Sequence, residues 1–302
     1  MQRSISVSEI CSHFNLKYHG PDLRIDGLNL CNRDSEHRNV LTYVTNSNYV
    51  DIIRNNTAVV GIVIREQDIT NYCCLANERE LVFVICEDPE KIFYDIHDYL
   101  YYETDFYDKF KFEAIIGSNC VIHQSTVIEE GVVIGNNVTI GANSVIRRGT
   151  VINDGCTVGC NSTIGSEGFQ ILRVGKDNRK IIHCGGVLLE ENAYVGDNSA
   201  VCNALFEGRT YIGKNAMIDN LVHVGHNGYV GDNAVVTAGT ILCGSSIVEG
   251  GAWIGVNSSV LNRVTVGSYS KIGIGSVVTR DISKESLAYG VPAKVKKGHD
   301  EV

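Results

Sequence analysis

The chain has 302 residues, 44% hydrophobic and 20% charged, a core-forming composition that excludes fibrous and disordered classes. A formal charge of −9, without any Lys- or Arg-rich stretch, gives no electrostatic footing for a phosphate backbone, so nucleic acid is not an expected partner. No window approaches the roughly 18 uninterrupted apolar residues of a membrane span, and the polar start lacks a signal-peptide apolar segment, which predicts no membrane insertion and a cytoplasmic protein.

Residues 1–112 read as a small α/β domain. Ser8 to Phe14 predicts a short capped helix, Ala58 to Ile64 and Leu81 to Ile85 predict buried strands, and Glu90 to Tyr102 predicts an amphipathic helix. The 11 cysteines are scattered, odd in number and never spaced C-x-x-C, which predicts reduced thiols in small core positions and no metal site.

From residue 113 a repeat takes over. Stepping by six from Ile116 meets an aliphatic at every step through Ile164, and again from Ile212 through Val278. Gly often follows the aliphatic, as at Gly117, Gly135, Gly213, Gly225 and Gly255, and Asn, Asp or Gly often ends the hexad. These residues tolerate positive φ and predict corners. Three hexads make one triangular coil with every sixth side chain inward, and only stacking of coils buries those side chains. The pattern predicts a mainly β chain, a left-handed parallel β-helix over 113–282 behind the small α/β domain. The period stops at 166–186, predicting an external loop of a length that is usually functional or disordered. It slips by five residues between Leu205 and Thr210, and residues 283–302 read as a polar tail containing Pro292.

Of the 9 histidines, His123, His183, His223 and His226 lie in the helix region. His223 and His226 flank the inward Val224, so one imidazole is expected to project at a corner. One coil beyond His226 stands Gly244, expected about 5 Å above it from the usual strand spacing. A neutral imidazole that takes a proton from an attacking amine, with a backbone N–H for the oxyanion, is the minimum equipment of acyl transfer. A glycine there leaves room for a thioester carbonyl.

The stretch from Ile218 through Asp219, Asn220, His223 and His226 to Asn227, together with Gly244-Ser245 and Gly165 to Phe169, resembles the hexapeptide-repeat acyltransferases of lipid A biosynthesis, UDP-3-O-(3-hydroxyacyl)glucosamine N-acyltransferase in particular. The resemblance implies His226 as catalytic base, Gly244 as oxyanion donor, and Asp219 and Asn220 as its Asp-Asn motif near the active site. Leu41 to Tyr49 is similar to the family's uridine-binding stretch, with Tyr43, Asn46 and Tyr49 on the nucleotide positions. Two rings and an amide also suit a pyrimidine on physical grounds.

Departures cluster elsewhere. Arg263 stands where the family has a second His, Ala200 to Ala204 replaces Thr-Ile-Asp-Arg-Gly, and Arg179 to His183 replaces Trp-x-Lys-Ile-Pro-Gln. In place of the family's helical extension for acyl carrier protein, Tyr289 to Lys294 looks like the tail of acyltransferases that use coenzyme A. Phe169, His183, His223, Arg263 and Lys294 therefore mark the acyl-donor and acceptor region. The implied reaction is N-acylation of a UDP- or dTDP-linked amino sugar for surface glycan or O-antigen synthesis, from acyl-CoA or acyl carrier protein, with no tightly bound cofactor. The resemblance further implies a homotrimer, which suits a prism with flat faces. The alternatives are lipid A synthesis with a carrier-protein donor, a non-catalytic β-helix scaffold, and a γ-class carbonic anhydrase, which needs three His around zinc.

Overall fold

Hexads in this chain alternate small and large inward side chains. In the computed structural model, which describes residues 3–33 and 35–296, each corner is followed by a small inward residue, an outward residue and the inward aliphatic, as in Ser144, Val145 and Ile146. Equivalent aliphatics then stack. One column runs Ile128, Ile146, Ile164, Val201, Val224, Leu242, Val260, Val278, and all but Ile128 are buried. Two further parallel sheets carry the columns through Ile152 and Val248 and through Ile140 and Ile254. The architecture is the left-handed parallel β-helix, mainly β, with the small α/β region before it.

The corners agree with the sequence expectation in one respect and differ in another. Positive φ falls on asparagines, among them Asn137, Asn161, Asn198, Asn227, Asn233 and Asn257, and on glycines three residues after the aliphatic, such as Gly131, Gly149, Gly239 and Gly251. The glycines that follow the aliphatics, such as Gly117, Gly213 and Gly225, do not adopt it. They are small for another reason: a Cβ at Gly117 would lie 2.5 Å from Gly135 O, and one at Gly225 2.6 Å from Gly244 N. Close approach of successive coils, not backbone conformation, excludes a side chain there.

The chain divides into two compact units. The first comprises residues 3–108 and 170–182, the second 109–169 and 183–296. The first is built on a five-stranded sheet in the order Lys17–His19, Val82–Ile85, Val59–Ile64, Val40–Tyr43, Gly27–Leu28, all parallel except Lys17–His19. Helix Val7–Phe14 starts with a capping box between Ser6 and Glu9, and helix Pro89–Tyr102 with Asp88 as cap and Pro89 in its first turn. Phe93, Ile96 and Leu100 of the second helix are fully buried.

The excursion from the coil is ordered, contrary to a plain loop. Its centre is an antiparallel hairpin, Ile171–Val174 with Asp177–Lys180, that belongs to the first unit. Arg179 anchors it there, bonding Asp95, Asp98 at 2.7 Å and the Tyr94 carbonyl at 3.2 Å. The polar tail likewise has structure: Leu287–Tyr289 adds a parallel strand on Lys271–Ile272 with Ala288 inward, and Lys294–Lys296 turns back antiparallel on it. Inward placement of Ile282 and Ala288 continues the core past the last full hexad, which is why the helix outlasts the strict period. Among the described residues no two cysteines are joined by a disulfide.

Candidate active site

Both breaks in the period fall on one edge of the β-helix. That edge joins the strands Thr163–Ser166, Ala200–Cys202, His223–Val224 and Ile241–Leu242 to Gly186–Leu189, Arg209–Ile212, Tyr229–Val230 and Ile247–Val248. The excursion at 167–185 leaves from it, the off-period residues 203–208 bulge on it, and His226, Gly244 and Arg263 lie on it in successive coils.

His226 is held from three sides. Its Nδ1 lies 3.1 Å from Asn227 Oδ1, and that same oxygen accepts the Leu205 N–H at 3.0 Å. An oxygen already receiving one hydrogen fixes the carboxamide orientation and makes Nδ1 the donor, so neutral His226 carries its lone pair on Nε2. Nε2 points up the edge: a Cβ on Gly244 would sit 2.5 Å from it. On the third side the His183 ring packs edge-on, centroids 5.2 Å apart and planes at 66°. Gly168 is wedged between the two imidazoles, where a Cβ would lie 2.6 Å from His183 Cδ2 and 2.9 Å from His226 Cβ.

Gly244 presents a backbone N–H at this point. At several other corners the corresponding amide is capped by a side chain of a neighbouring coil, as Asp197 N is by Asn220, Lys214 N by Asp232 and Ala238 N by Asp219. Among the described residues no protein acceptor takes the Gly244 N–H. It is thereby available to an oxygen brought in by a ligand.

The other expected residues divide. His183 is buried and Phe169, at 79% exposure, stands near the start of the excursion. His223 faces outward between Ala200 and Ile241, and loss of hydration lowers its imidazole pKa. Arg263 stands exposed in the left-handed region two coils above Asn227. Asp219 and Asn220 are on a different edge from His226, one strand earlier, and their oxygens cap Ala238 N and Asp197 N. Lys294 pairs with Tyr289 in the terminal hairpin, away from this edge in sequence register.

In the first unit, Tyr43, Asn46 and Tyr49 follow one another off the carboxyl end of strand Val40–Tyr43, the side of a parallel sheet where ligands bind. The Tyr43 hydroxyl bonds Glu90 at 3.0 Å and its ring packs on Phe93; burial, then Tyr94 and Glu90, hold its pKa well above the ordinary value. Asn46 caps the following turn through Asn48 N, and Tyr49 is half-buried. Among the described residues no three His, Cys, Asp or Glu side chains gather as a metal site, and no helix is long and apolar enough to cross a membrane.

The family described as bacterial transferase hexapeptide (six repeats) matches residues 113–148 and 131–166. The coils over 113–166 are thus similar to that repeat. Among curated relatives, the UDP-3-O-acylglucosamine N-acyltransferase of Campylobacter lari is 41% identical over 86 residues, 28% of this chain and 27% of that protein. The protein of the same name from Desulfosudis oleivorans is 40% identical over 75 residues, 25% of this chain and 22% of that one. The chain thus spans about a quarter of the length of these relatives. A solved UDP-N-acetylglucosamine acyltransferase from Campylobacter jejuni shares the fold, with TM-score 0.54 and 23% identity over 63% of this chain and 73% of that one.

Sequence reasoning reached His226 and Gly244 through the period. It assigned no role to Asn203 or Leu205, which lie in the off-period bulge where stacking arithmetic fails.

Proposed function

We propose that this chain is an N-acyltransferase that moves an acyl group from a thioester to the amine of a nucleotide-linked amino sugar. The observation that carries it is His226, its tautomer set by Asn227 and its Nε2 directed at the uncapped Gly244 amide. The amine nitrogen attacks the thioester carbon while Nε2 of His226 takes the amine proton. The carbonyl oxygen becomes an oxyanion that the Gly244 N–H stabilises. The C–S bond then breaks, the amide forms, and the imidazolium returns its proton to the leaving thiolate. No covalent enzyme intermediate is required.

The relatives' names support a UDP-3-O-acylglucosamine acceptor, hence lipid A synthesis, ahead of the O-antigen reading; the donor is a carrier-protein or coenzyme A thioester. Tyr43, Asn46 and Tyr49 form the candidate nucleotide site, with the Tyr49 face and the Asn46 amide hydrogens toward the base. His183, Phe169, His223 and Arg263 flank the reacting groups, while Asp219 and Asn220 cap backbone amides of the neighbouring coils. The active assembly is a homotrimer.

The test pairs UDP-3-O-acylglucosamine and simpler UDP- and dTDP-amino sugars with acyl carrier protein and acyl-CoA donors, comparing the native chain with His226→Ala. The variant is expected to lose about 10²- to 10⁴-fold in kcat, the usual worth of a general base. Activity within a few-fold of native removes His226 as the base.

A further inference from the structure

The two interruptions of the period meet in one side chain. Asn203 Oδ1 accepts the Gly168 N–H at 3.3 Å, while its Nδ2 donates to the His183 carbonyl at 3.2 Å and the Gly185 carbonyl at 3.3 Å. Its own N–H bonds the Ser166 carbonyl at 2.9 Å. One carboxamide thus joins both ends of the excursion at the point where the chain departs and returns. What those ends carry is the wall of the site: Gly168 fills the gap between two imidazoles, and the His183 ring lies edge-on against His226. The opposite side of His226 is set from the same bulge, because Leu205, two residues beyond Asn203, fixes the oxygen of Asn227.

We infer that Asn203 is a positioning residue for the acyl transfer: by clamping Gly168, His183 and Gly185 it holds the His183 ring on His226 and keeps Nε2 directed at Gly244. The inference rests on His226 being the base. The side-chain chemistry is specific, since the site requires one acceptor and two donors at a single short carboxamide. Aspartate keeps the acceptor but sets a negative charge against two carbonyl oxygens, and alanine leaves all three backbone groups without the bond they now have. Reacting groups displaced by about 1 Å can cost about 10²-fold in rate, whereas a nucleotide held by other residues loses none of its own contacts.

The test uses the full-length chain with Asn203→Ala and Asn203→Asp, reading three quantities: the ring nitrogen resonances of His183 and His226 by NMR, steady-state kinetics, and thermal unfolding. Both histidines' resonances are expected to move, with His226 losing its single Nδ1–H tautomer. kcat should fall about 10²-fold with the acceptor KM changed less than about threefold. Should Asn203→Ala fail to fold, Asn203→Asp and Gly168→Ala, which disturbs the same two rings from the other side, take its place. Unmoved resonances, or kcat within a few-fold of native, overturn the inference. If the native chain shows no transfer while the variants' resonances still move, the acyltransferase reading falls and the clamp stands.

Discussion

At the scale of single residues the site is a set of exclusions. Gly168 and Gly244 are places where a methyl group would strike an imidazole, at 2.9 Å from His226 Cβ in one case and 2.5 Å from His226 Nε2 in the other. Neither has the left-handed backbone that would itself forbid alanine. We therefore expect Gly244→Ala to reduce kcat by at least about 10²-fold, comparable with loss of an oxyanion donor, while melting within a few degrees of native; a variant with native kcat would show that the space above Nε2 is not used. Gly244 was legible because it stands one coil after His226, and the period converts separation into height. The Asn227 orientation was not legible, since it depends on Leu205, which lies in a segment without period. The proximity of His183 and His226, 43 positions apart, was hidden for the same reason.

Elements in this chain are too short to be stable alone; most are two-residue strands whose register comes from the inward columns. Small inward positions add a second ladder. Ser144 donates to the Gly159 carbonyl at 2.6 Å, Ser162 to Gly196 at 2.7 Å and Ser258 to Gly273 at 3.1 Å, each linking neighbouring coils. Ser246 occupies the same kind of position, 1% exposed, yet its hydroxyl has no hydrogen-bond partner among the described residues. Removing a bonded and an unbonded hydroxyl should differ in sign: Ser258→Ala is expected to destabilise by about 1 kcal/mol and Ser246→Ala to be neutral or stabilising. Urea titrations of the two variants check this. In the column through Ile140 and Ile254, Ile254→Ala should cost about 2–5 kcal/mol because the coils above and below prevent collapse of the cavity. The strands and their stacking were read from the six-residue period alone. The hairpin within 170–182 escaped that reading because its partners, Asp95 and Asp98, lie far back in the sequence.

At the scale of the whole molecule, the first unit carries a buried switch on stability. His97 is enclosed, with Nε2 on the Ile182 carbonyl at 3.0 Å and Nδ1 on the Tyr107 hydroxyl at 2.8 Å. Burial is the main cause that lowers its pKa to about 4, partly opposed by the Ile182 carbonyl. The unfolded chain protonates near pH 6.5 and the native one near 4, so between them the unfolded state binds the extra proton. Stability of this unit should fall as pH drops through that window, by at most about 1.4 kcal/mol per pH unit, and His97→Gln should flatten the slope; equal slopes in denaturant titrations of the two proteins would exclude His97 as the source. The second unit presents outward apolar residues in register, Tyr194, Met217, Val235 and Trp253, on one sheet. If this face packs in the proposed trimer, Trp253→Glu should lower the mass measured by sedimentation from three chains toward one. The other end of that sheet is finished differently. A stack of parallel strands is an open template, since each new coil exposes the same unpaired amides as the last. Here the chain reverses, so that the final described strand, Lys294–Lys296, runs antiparallel and sets two cationic side chains on the rim. A second molecule adding a parallel coil to this end of the sheet would meet the wrong strand polarity, which opposes continuation of the repeat as a fibre along this face.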